Sequence, residues 1–423
     1  MKSRKKIILD RIIAKPFAFL LNLVVWPLRR VIALGRNDSP EKVKTIAIAK
    51  FLGMGSILRA TPMVRALKQK YPQARYIFIT TLKNKPLVER LGLFDIYLYI
   101  NDKSLFILCV DVLSLIIKLW TYQIRLYFDL EVYSAFSTIL SLLSLSRNRY
   151  GFYKDTTAFR AGLNTHLVYF NDTKPISRAY LQLTKACGIK YSDCKPETIK
   201  LQVFDKQELE AWLRLNNLNC GINYIVVNPN ASDLLLERRW PKEYFIELIN
   251  ALVKVWDGYI FCVGSPQEAF YVATLCEGAS IEARKRVFNV AGKISFGAVM
   301  VLIKNAQLVI TNDSGLYHVA VSFRRRVISL WGPVNPAQYA DSDNSQQAVF
   351  YNKEIYCSPC LHKADFPPCG GDNVCMKSIP PKEVYKKACQ MLGAAAGLDT
   401  MQMDLVYQQK YSLKDEAQEI NPI

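Results

Sequence analysis

Apolar and polar residues alternate along most of the chain in the order expected for strands followed by helices. From Ile57 to Tyr71, apolar residues recur every three or four positions, which predicts a helix. Pro62 either kinks this helix or, if the helix starts at Thr61, lies in its first turn. Short, β-rich apolar runs predict buried strands at residues 45–51, 76–80, 126–130, 224–228, 259–263, 308–311 and 327–331.

This alternation predicts an α/β protein of two doubly wound, Rossmann-like domains with parallel sheets and a cleft between them. Two strongly apolar stretches, 105–120 and 132–145, are expected to be core helices, unless one face meets lipid or a lipid-linked acceptor. The predicted parts are a basic, apolar segment with its linker over residues 1–43, an N-terminal domain over 44–205, a C-terminal domain over 206–392 and a polar tail over 393–423.

The first residues of the chain combine basic and apolar side chains. An apolar stretch from Ile12 to Leu28 has basic residues on both sides and no small-residue cleavage site after it, unlike a signal peptide. It is shorter than the roughly 20 apolar residues that span a bilayer. The pattern favours an amphipathic helix in the membrane interface, with its basic residues near the headgroups. The alternative is a helix packed on the protein's own surface.

Composition and charge narrow the classes of partner. The chain has 423 residues, 51% of them hydrophobic and 22% charged, so it can build two cores of ordinary size. Its 55 Lys and Arg against 36 Asp and Glu leave a formal charge of +19, which indicates anionic lipid, a phosphorylated substrate or nucleic acid. No nucleic-acid motif is present, so no nucleic-acid partner is predicted. The odd number of cysteines, 11, favours a reduced, cytosolic compartment.

A glycine turn follows the first predicted strand, at the strand end where open parallel sheets bind ligands. It runs from Lys50 to Ser56 and contains Gly53 and Gly55. Glycines let backbone N–H groups approach a ligand, and the N-terminus of the following helix favours an anion. The turn fits neither the dinucleotide fingerprint nor the P-loop. By itself it is equally a tight strand-to-helix turn with Ser56 as the N-cap.

Two polar clusters follow strands in the second half. Asn230 and Ser232 come just before Arg238 and Arg239. This arrangement suits a diphosphate, because arginine offers paired donors to phosphate oxygens. Solvated surface arginines explain the same spacing. Glu268, in the next strand-end turn, can accept hydrogen bonds from a ribose or stabilise the first turn of a helix.

The strongest cluster lies at the end of the 308–311 strand. Ser314 and Gly315 would offer N–H groups to a phosphate at a helix N-terminus. Asp313 could hydrogen-bond sugar hydroxyls, and His318 falls in the first helical turns. Taken alone, His318 would be a satisfied interior histidine.

Together these motifs resemble glycosyltransferase family 9, the lipopolysaccharide heptosyltransferases, over roughly residues 45–390. The resemblance implies a GT-B fold whose C-terminal domain binds an ADP-sugar, expected to be ADP-heptose, and whose N-terminal domain binds a glycolipid acceptor of the lipopolysaccharide core. It implies inverting transfer without metal or other cofactor, on the anionic cytoplasmic surface of the inner membrane. The segments that carry it are the glycine turn with Ala60-Thr61-Pro62 and Arg65-Ala66-Leu67, Phe128-Asp129-Leu130, Arg149-Tyr150-Gly151-Phe152, Arg239-Trp240-Pro241, Thr311-Asn312-Asp313-Ser314-Gly315 with His318, and Trp331-Gly332-Pro333.

The resemblance also implies roles for single residues. Arg238 stands where a phosphate-binding lysine is usual, next to Arg239, and Glu268 would face the ribose. Gly53 and Gly55 would belong to an acceptor-side loop. The resemblance further implies that a set of residues lies beside the phosphates or lines the donor pocket: Asn230, Ser232, Asp313, Ser314, Gly315 and His318.

One position departs from the family pattern. The glycine turn of the family usually reads Gly-Asp, and that aspartate is the presumed general base, whereas this chain has Gly55-Ser56. An unassisted serine is too weak a base. Asp129 and Glu131 lie at the end of the 126–130 strand, and strand alternation predicts that both lie on one face; Glu131 is the favoured substitute. The alternatives are diphosphate departure with water relaying the proton, and an inert membrane-associated binding protein of the same fold.

Four cysteines, Cys357, Cys360, Cys369 and Cys375, fall within 19 residues. The first pair has the spacing of zinc ligands, and the second pair does not. The alternatives are a zinc site, with His362 as a substitute ligand, and a loop of reduced cysteines or a labile disulfide.

Overall fold

The computed structural model describes residues 3–31, 43–231, 235–341, 345–361, 363–364 and 367–394. The chain divides into two compact units, Met1–Gln202 with Ala337–Ala340, and Val203–Pro336 with Asp341–Ile423. Most of the predicted linker, Ser232, His362 and nearly all of the predicted polar tail lie outside the described residues.

The sheet of the first unit has six parallel strands: β1 Thr45–Ala49, β2 Arg75–Thr81, β3 Ile96–Ile100, β4 Leu126–Asp129, β5 Asn148–Tyr153 and β6 His166–Tyr169. They lie in the order β3-β2-β1-β4-β5-β6. All five residues of β1 are buried, as expected for a central strand covered on both faces. The strand order reverses between β1 and β4, which is where doubly wound sheets bind ligands.

The sheet of the second unit repeats this topology. Its strands are β7 Tyr224–Asn228, β8 Tyr259–Cys262, β9 Val287–Asn289, β10 Leu308–Asn312, β11 Val327–Trp331 and β12 Gln347–Tyr351. They are parallel and lie in the order β12-β11-β10-β7-β8-β9, so the reversal falls between β7 and β10. The predicted α/β class with two parallel sheets is confirmed.

Helices connect successive strands. The helices of the first unit are α1 Ser3–Leu9, α2 Lys15–Val31, α3 Met54–Lys70, α4 Lys85–Val88, α5 Leu105–Tyr122, α6 Ala135–Leu143 and α7 Ile176–Lys185. A π-helical segment, Asp10–Ala14, joins α1 to α2, and 3₁₀ turns lie at Leu82–Asn84, Glu89–Leu91 and Asp155–Arg160. After them come α8 Val203–Leu215, α9 Lys242–Val255, α10 Ala269–Gly278, α11 Ile281–Arg284, α12 Phe296–Asn305, α13 Gly315–Ser322, α14 Pro336–Tyr339, α15 Val374–Lys377 and α16 Pro381–Leu392, with 3₁₀ turns at Leu236–Arg238 and Pro266–Glu268.

Helix α3 begins earlier than one reading of the sequence predicted. It starts at Met54 rather than Thr61, so Pro62 lies inside it. Proline has no N–H for the carbonyl of Leu58, four residues earlier. The Thr61 hydroxyl donates to that carbonyl instead, at 2.7 Å. The N-cap is Gly53 and not Ser56, which lies in the first turn of the helix.

The N-terminal helix, residues 3–31, packs on the first unit through one face. The carboxylate of Asp10 accepts hydrogen bonds from the Ser134 hydroxyl at 3.0 Å and from the backbone N–H groups of Ala135 and Phe136 at 2.8 and 2.7 Å. It therefore caps α6 from another helix. Burial raises the pKa of Asp10 above its ordinary value, while these hydrogen bonds act in the opposite direction.

A second contact fixes the middle of α2. The Asn22 amide donates to the Phe159 carbonyl at 2.7 Å. Gly162 leaves room for it, because a Cβ there would lie 1.8 Å from Asn22 Oδ1. Ala18 and Val25 complete the packed face, against a cluster of Ala135, Ile139, Leu142, Phe159 and Leu163. Packing on the protein's own surface is thus realised on this face of the helix.

We expect Asp10→Ala to loosen this attachment. The N-terminus of α6 would keep Ser134 as its N-cap but lose the carboxylate that accepts from the N–H groups of Ala135 and Phe136, at a cost of about 0.5–2 kcal/mol in the free energy of unfolding. Limited proteolysis should then cut α2 faster, and thermal unfolding should begin at a lower temperature. Asp155→Ala, at a 3₁₀ turn of the same unit, is a matched control. Equal protection of α2 in wild type and Asp10→Ala would contradict the capping role.

The two strongly apolar stretches have different environments. Helix α6 is buried along most of its length, as predicted. The prediction of a core helix is wrong for α5, which buries only Leu115, Ile116 and Leu119. By length and composition alone, α5 is the one helix among the described residues that could cross a membrane.

Candidate active site

The glycine turn after β1 is held by the carboxylate of Glu131, which follows β4. Glu131 Oε1 accepts from the backbone N–H groups of Phe51 and Leu52 at 2.7 and 2.8 Å. Its Oε2 lies 2.8 Å from Lys50 Nζ, and both side chains are more than nine-tenths buried. The turn and the strand end are therefore joined by three charge-assisted hydrogen bonds.

Side chains at the end of β2 hold the other side of this turn. The Thr80 hydroxyl donates to the Lys50 carbonyl at 2.6 Å, and the Asn84 amide donates to the Phe51 carbonyl at 3.0 Å. Gly53 follows with φ of 84°, a conformation that favours glycine. Gly55 is buried, and Ser56 is partly exposed at the start of α3. A rigid turn thus presents a helix N-terminus at the strand end.

Asp129 and Glu131 lie next to each other, but not as alternating residues of one strand, because β4 ends at Asp129. The backbone N–H of Glu131 donates to Asp129 Oδ1 at 3.1 Å. The Asp129 carboxylate is fully buried beside Arg160, at 3.1 Å, and accepts from the Ser137 hydroxyl at 3.0 Å. Burial raises its pKa, and Arg160 opposes that shift. Because solvent does not reach Asp129, these contacts favour a structural role for it over the predicted catalytic one.

In the second unit, Asn312 joins the ends of β7 and β10. Its amide donates to the carbonyl of Pro229 at 2.9 Å, and its Oδ1 accepts the backbone N–H of Trp240 at 3.0 Å. Trp240 is fully buried, and its indole donates to the Ile379 carbonyl at 3.0 Å. The Arg239-Trp240-Pro241 motif therefore brings the loop with the two arginines to this strand end.

Arg238 pairs with Asp313, the first residue after β10. Arg238 Nη2 lies 2.8 Å from Asp313 Oδ2 and donates to the Asp313 carbonyl at 2.6 Å. The side chain of Arg238 is 13% exposed and that of Asp313 is 6% exposed. Burial raises the pKa of Asp313, whereas the guanidinium acts to lower it. The Asp313 carboxylate therefore fixes the Arg238 guanidinium at the β7/β10 reversal.

Helix α13 starts beside this pair. Its N-cap is Ser314, and the side chain does not cap the helix. The Ser314 hydroxyl instead accepts from the Asn228 amide at 2.9 Å, and that amide also donates to the Thr311 hydroxyl at 2.9 Å. The N–H groups of the first turn, beginning at Gly315, thus face the strand end, where an anion is favoured.

The other predicted donor residues surround this end of the sheet. Asn230 is buried; its amide donates to the Val263 carbonyl at 2.9 Å, while its Oδ1 has no hydrogen-bond partner among the described residues. A Cβ on Gly264 would lie 2.7 Å from that amide. His318 is buried within α13. Ser232 lies outside the described residues.

Arg239 and Glu268 form a more peripheral group. The Arg239 guanidinium lies 4.3 Å from the centroid of the Tyr271 ring and 3.6 Å from Glu268 Oε1. Glu268 Oε2 accepts from the backbone and the hydroxyl of Ser265, both at 2.8 Å. Of the two readings of Glu268, the structure shows the one in which it stabilises a helical turn.

The zinc site that was one alternative for the four cysteines finds no support among the described residues. Cys357, Cys360, Cys369 and Cys375 are free thiols. Among the described residues, no three His, Cys, Asp or Glu side chains are grouped so as to hold a metal ion. Burial raises the pKa of Cys375 to about 12, so this thiol is held in its neutral form. Of the alternatives, a loop of reduced cysteines fits the structure.

The sequence did not single out several residues that position the site. Lys50 and Asn312 lie within quoted motifs and Asn228 ends a predicted strand, but each of them has a hydrogen-bond partner 81 or more residues away. Their position at strand ends was the available signal. Arg160 gave no signal, because it lies in a 3₁₀ turn outside any motif.

Comparison with known proteins identifies the family of this chain. A model of glycosyltransferase family 9 (heptosyltransferase) matches residues 133–369, which is 237 of the 423 residues. Lipopolysaccharide heptosyltransferase 1 of Campylobacter coli is 23% identical over 360 residues, covering 82% of this chain and 99% of that protein.

Two solved structures share the fold. Glycosyltransferase family 9 from Veillonella parvula superposes with a TM-score of 0.69 at 18% identity, covering 84% of this chain and 99% of that one. The ADP-heptose lipopolysaccharide heptosyltransferase II of Escherichia coli gives 0.66 at 18% identity, covering 82% and 98%. The chain is a glycosyltransferase and belongs to glycosyltransferase family 9, the heptosyltransferase family.

Proposed function

We propose that this glycosyltransferase moves a heptose from ADP-heptose to a glycolipid acceptor of the lipopolysaccharide core, with inversion and without a metal ion. The observation that carries the proposal is the Arg238–Asp313 pair beside the N-terminus of α13, at the β7/β10 reversal. A fixed guanidinium and a helix N-terminus are the groups that stabilise a departing diphosphate. The name of the E. coli relative supplies the donor, and that of the C. coli relative supplies the acceptor class.

In this reaction the acceptor hydroxyl oxygen bonds to the anomeric carbon as the bond from that carbon to the β-phosphate oxygen breaks. ADP leaves with the electron pair of the broken bond, and the hydroxyl proton passes to a base or to water. Arg238 supplies positive charge where negative charge grows on the diphosphate. The unpaired Oδ1 of buried Asn230 is placed to accept from a donor hydroxyl.

Two groups could accept the proton of the acceptor hydroxyl, Glu131 and water. Ser56 takes the place of the usual aspartate, and we do not favour Asp129 because its carboxylate is fully buried beside Arg160. Glu131 remains a candidate, but its two carboxylate oxygens already accept three hydrogen bonds from the glycine turn, so they are engaged before any acceptor arrives. We favour a reaction driven by diphosphate departure, with water relaying the proton and Glu131 positioning the glycine turn.

We also propose that the enzyme works as a peripheral protein on the cytoplasmic surface of the inner membrane. The exposed face of the N-terminal helix supports this proposal. Its exposed apolar residues include Ile12, Ile13, Phe17, Phe19, Leu20, Leu23, Val24 and Trp26. Basic side chains along the same helix, such as Lys5 and Arg11, suit anionic headgroups.

Titration calorimetry in EDTA would test the donor assignment. We expect micromolar binding of ADP and ADP-heptose and much weaker binding of UDP and GDP. Asp313→Ala should weaken ADP binding at least about tenfold, because the guanidinium of Arg238 loses the group that fixes it. Asp257→Ala, at an exposed site of the same unit, is the control. Absence of binding by every nucleotide would reject the donor site.

A further inference from the structure

Helix α5 presents an apolar stripe to the outside of the first unit. The stripe recurs at three- and four-residue spacing, so it lies along one face of the helix. Its members and their exposed fractions are Phe106 79%, Val110 49%, Leu113 64%, Ile117 61% and Trp120 49%. Exposed apolar area of this extent on a soluble protein marks an interaction surface.

The opposite face of α5 excludes a transmembrane role. Leu115, Ile116 and Leu119 pack in the core of the sheet, against a cluster that includes Ala49 and Ile79. The helix is also the crossover between β3 and β4. It therefore lies along the sheet for about 27 Å and offers one face only.

The stripe adjoins the exposed face of the N-terminal helix. The ammonium group of Lys6 contacts the carboxylate of Asp102, three residues before α5 begins. At the other end, the Trp120 indole donates to the Leu143 carbonyl at 2.7 Å, at the end of α6, on which α2 packs. The two exposed faces thus belong to one region of the first unit.

Charge identifies the occupant of this region. Lys5, Arg11 and Lys118 are exposed on these helices. Every carboxylate of residues 5–27 and 101–122 is engaged: Asp10 caps α6, Asp102 contacts Lys6, and Asp111 accepts the backbone N–H of Asn101 at 2.7 Å. A second copy of this surface would place cations against cations. An apolar surface with exposed cations instead fits a bilayer that contains anionic lipid.

We propose that α5 is a second membrane-contacting helix, whose stripe enters the headgroup region of an anionic bilayer together with the exposed face of the N-terminal helix. The proposal extends the peripheral location proposed above. It makes the first unit bind the membrane through two helices.

Tryptophan quenching tests the contact directly. Trp26 and Trp120 are exposed, whereas Trp212, Trp240 and Trp331 are buried. On vesicles of phosphatidylethanolamine and phosphatidylglycerol with brominated acyl chains, wild-type emission should fall. Trp26→Phe and Trp120→Phe should each lose part of that quenching. If the loss of emission on these vesicles is as large in Trp120→Phe as in wild type, the proposal is overturned.

A sedimentation assay with the same vesicles provides the second test. Leu113→Asp/Ile117→Asp should lower partitioning at least about tenfold, since two apolar side chains would no longer enter the interface. The matched control, Phe204→Asp/Leu215→Asp, places the same charges at exposed apolar positions of α8 and should not change it. Equal partitioning of both double variants would overturn the proposal. So would a lipid-free dimer that only the α5 variant dissociates, since the occupant would then be a second copy.

These outcomes are separable from failure of the proposed function. Binding of ADP by calorimetry does not depend on α5, so the α5 variant should retain wild-type affinity for ADP. Vesicle binding with no nucleotide binding would reject the donor assignment alone. If the α5 variant binds ADP and also partitions onto vesicles as wild type does, the role of α5 is rejected and the donor assignment stands.

Discussion

Replacing Arg238 with alanine is expected to lower kcat/KM for the ADP-sugar about 10²–10³-fold, the usual effect of removing one fixed group that stabilises charge in a transition state. The variant would lose the cation proposed to meet the departing diphosphate. It would also leave the Asp313 carboxylate, 6% exposed, without its partner and facing the same anion. Both changes destabilise the negative charge that grows on the departing diphosphate, so both lower kcat/KM. Steady-state kinetics with a soluble acceptor analogue measures the effect.

Two companion variants separate charge from packing. Arg238→Lys restores the charge without the paired donors and should recover part of the loss. Arg214→Ala removes an exposed arginine of the same unit and should leave kcat/KM unchanged. Wild-type kinetics in Arg238→Ala would remove Arg238 from the donor site, and equal losses in Arg238→Ala and Arg214→Ala would point to a bulk charge effect.

Glu131→Gln is expected to destabilise the protein by about 3–5 kcal/mol, the cost of leaving one member of a buried ion pair without its partner. The uncompensated charge would be the ammonium of Lys50, whose side chain is 7% exposed. The amide of glutamine also cannot accept from Lys50 and from the backbone of Phe51 and Leu52 as strongly as the carboxylate does. Chemical denaturation measures this change in the free energy of unfolding.

The double variant Lys50→Met/Glu131→Gln tests what Glu131 does in catalysis. With the cation removed, most of the lost stability should return. If Glu131 only positions the glycine turn, activity should return with the stability, and the pH dependence of kcat should match that of wild type. If Glu131 is the base, the double variant stays inactive although it folds.

The sequence predicted most of the inner strands and none of the edge strands. β1, β4, β7 and β10 are buried on both faces, so their residues form short apolar runs that are easily recognised. β3 and β12 lie at sheet edges and are partly exposed, and neither was predicted, although β3 is apolar throughout. β5 lies inside the first sheet and was also missed; it begins with Asn148 and Arg149, which interrupt the apolar pattern.

The candidate site was predicted at the level of strand ends but not of side-chain partners. The Asp313 cluster lies at the end of β10, where the sequence placed it, because strand ends follow from strands. The roles of Asp129 and Glu131 depended on where β4 ends and on partners far away in sequence, Arg160 and Lys50. No local pattern encodes such contacts. Helix α5 was misjudged for a related reason: a helix that is apolar on all sides does not reveal which face is covered.

The contacts of Asp10 and Asn22 bear on where this chain can be shortened. A basic, apolar N-terminus invites removal as a dispensable leader when a soluble enzyme is wanted for crystals or assays. Here removal of residues 3–31 would take away the Asp10 carboxylate that binds the N-terminus of α6 and leave Ala135, Ile139, Leu142, Phe159 and Leu163 facing water. A truncated enzyme would lose the exposed apolar face of the N-terminal helix but expose the apolar cluster that this helix covers. The N-terminal helix is thus a part of the first domain's fold, and detergent or vesicles are a better route to a soluble, active preparation than truncation.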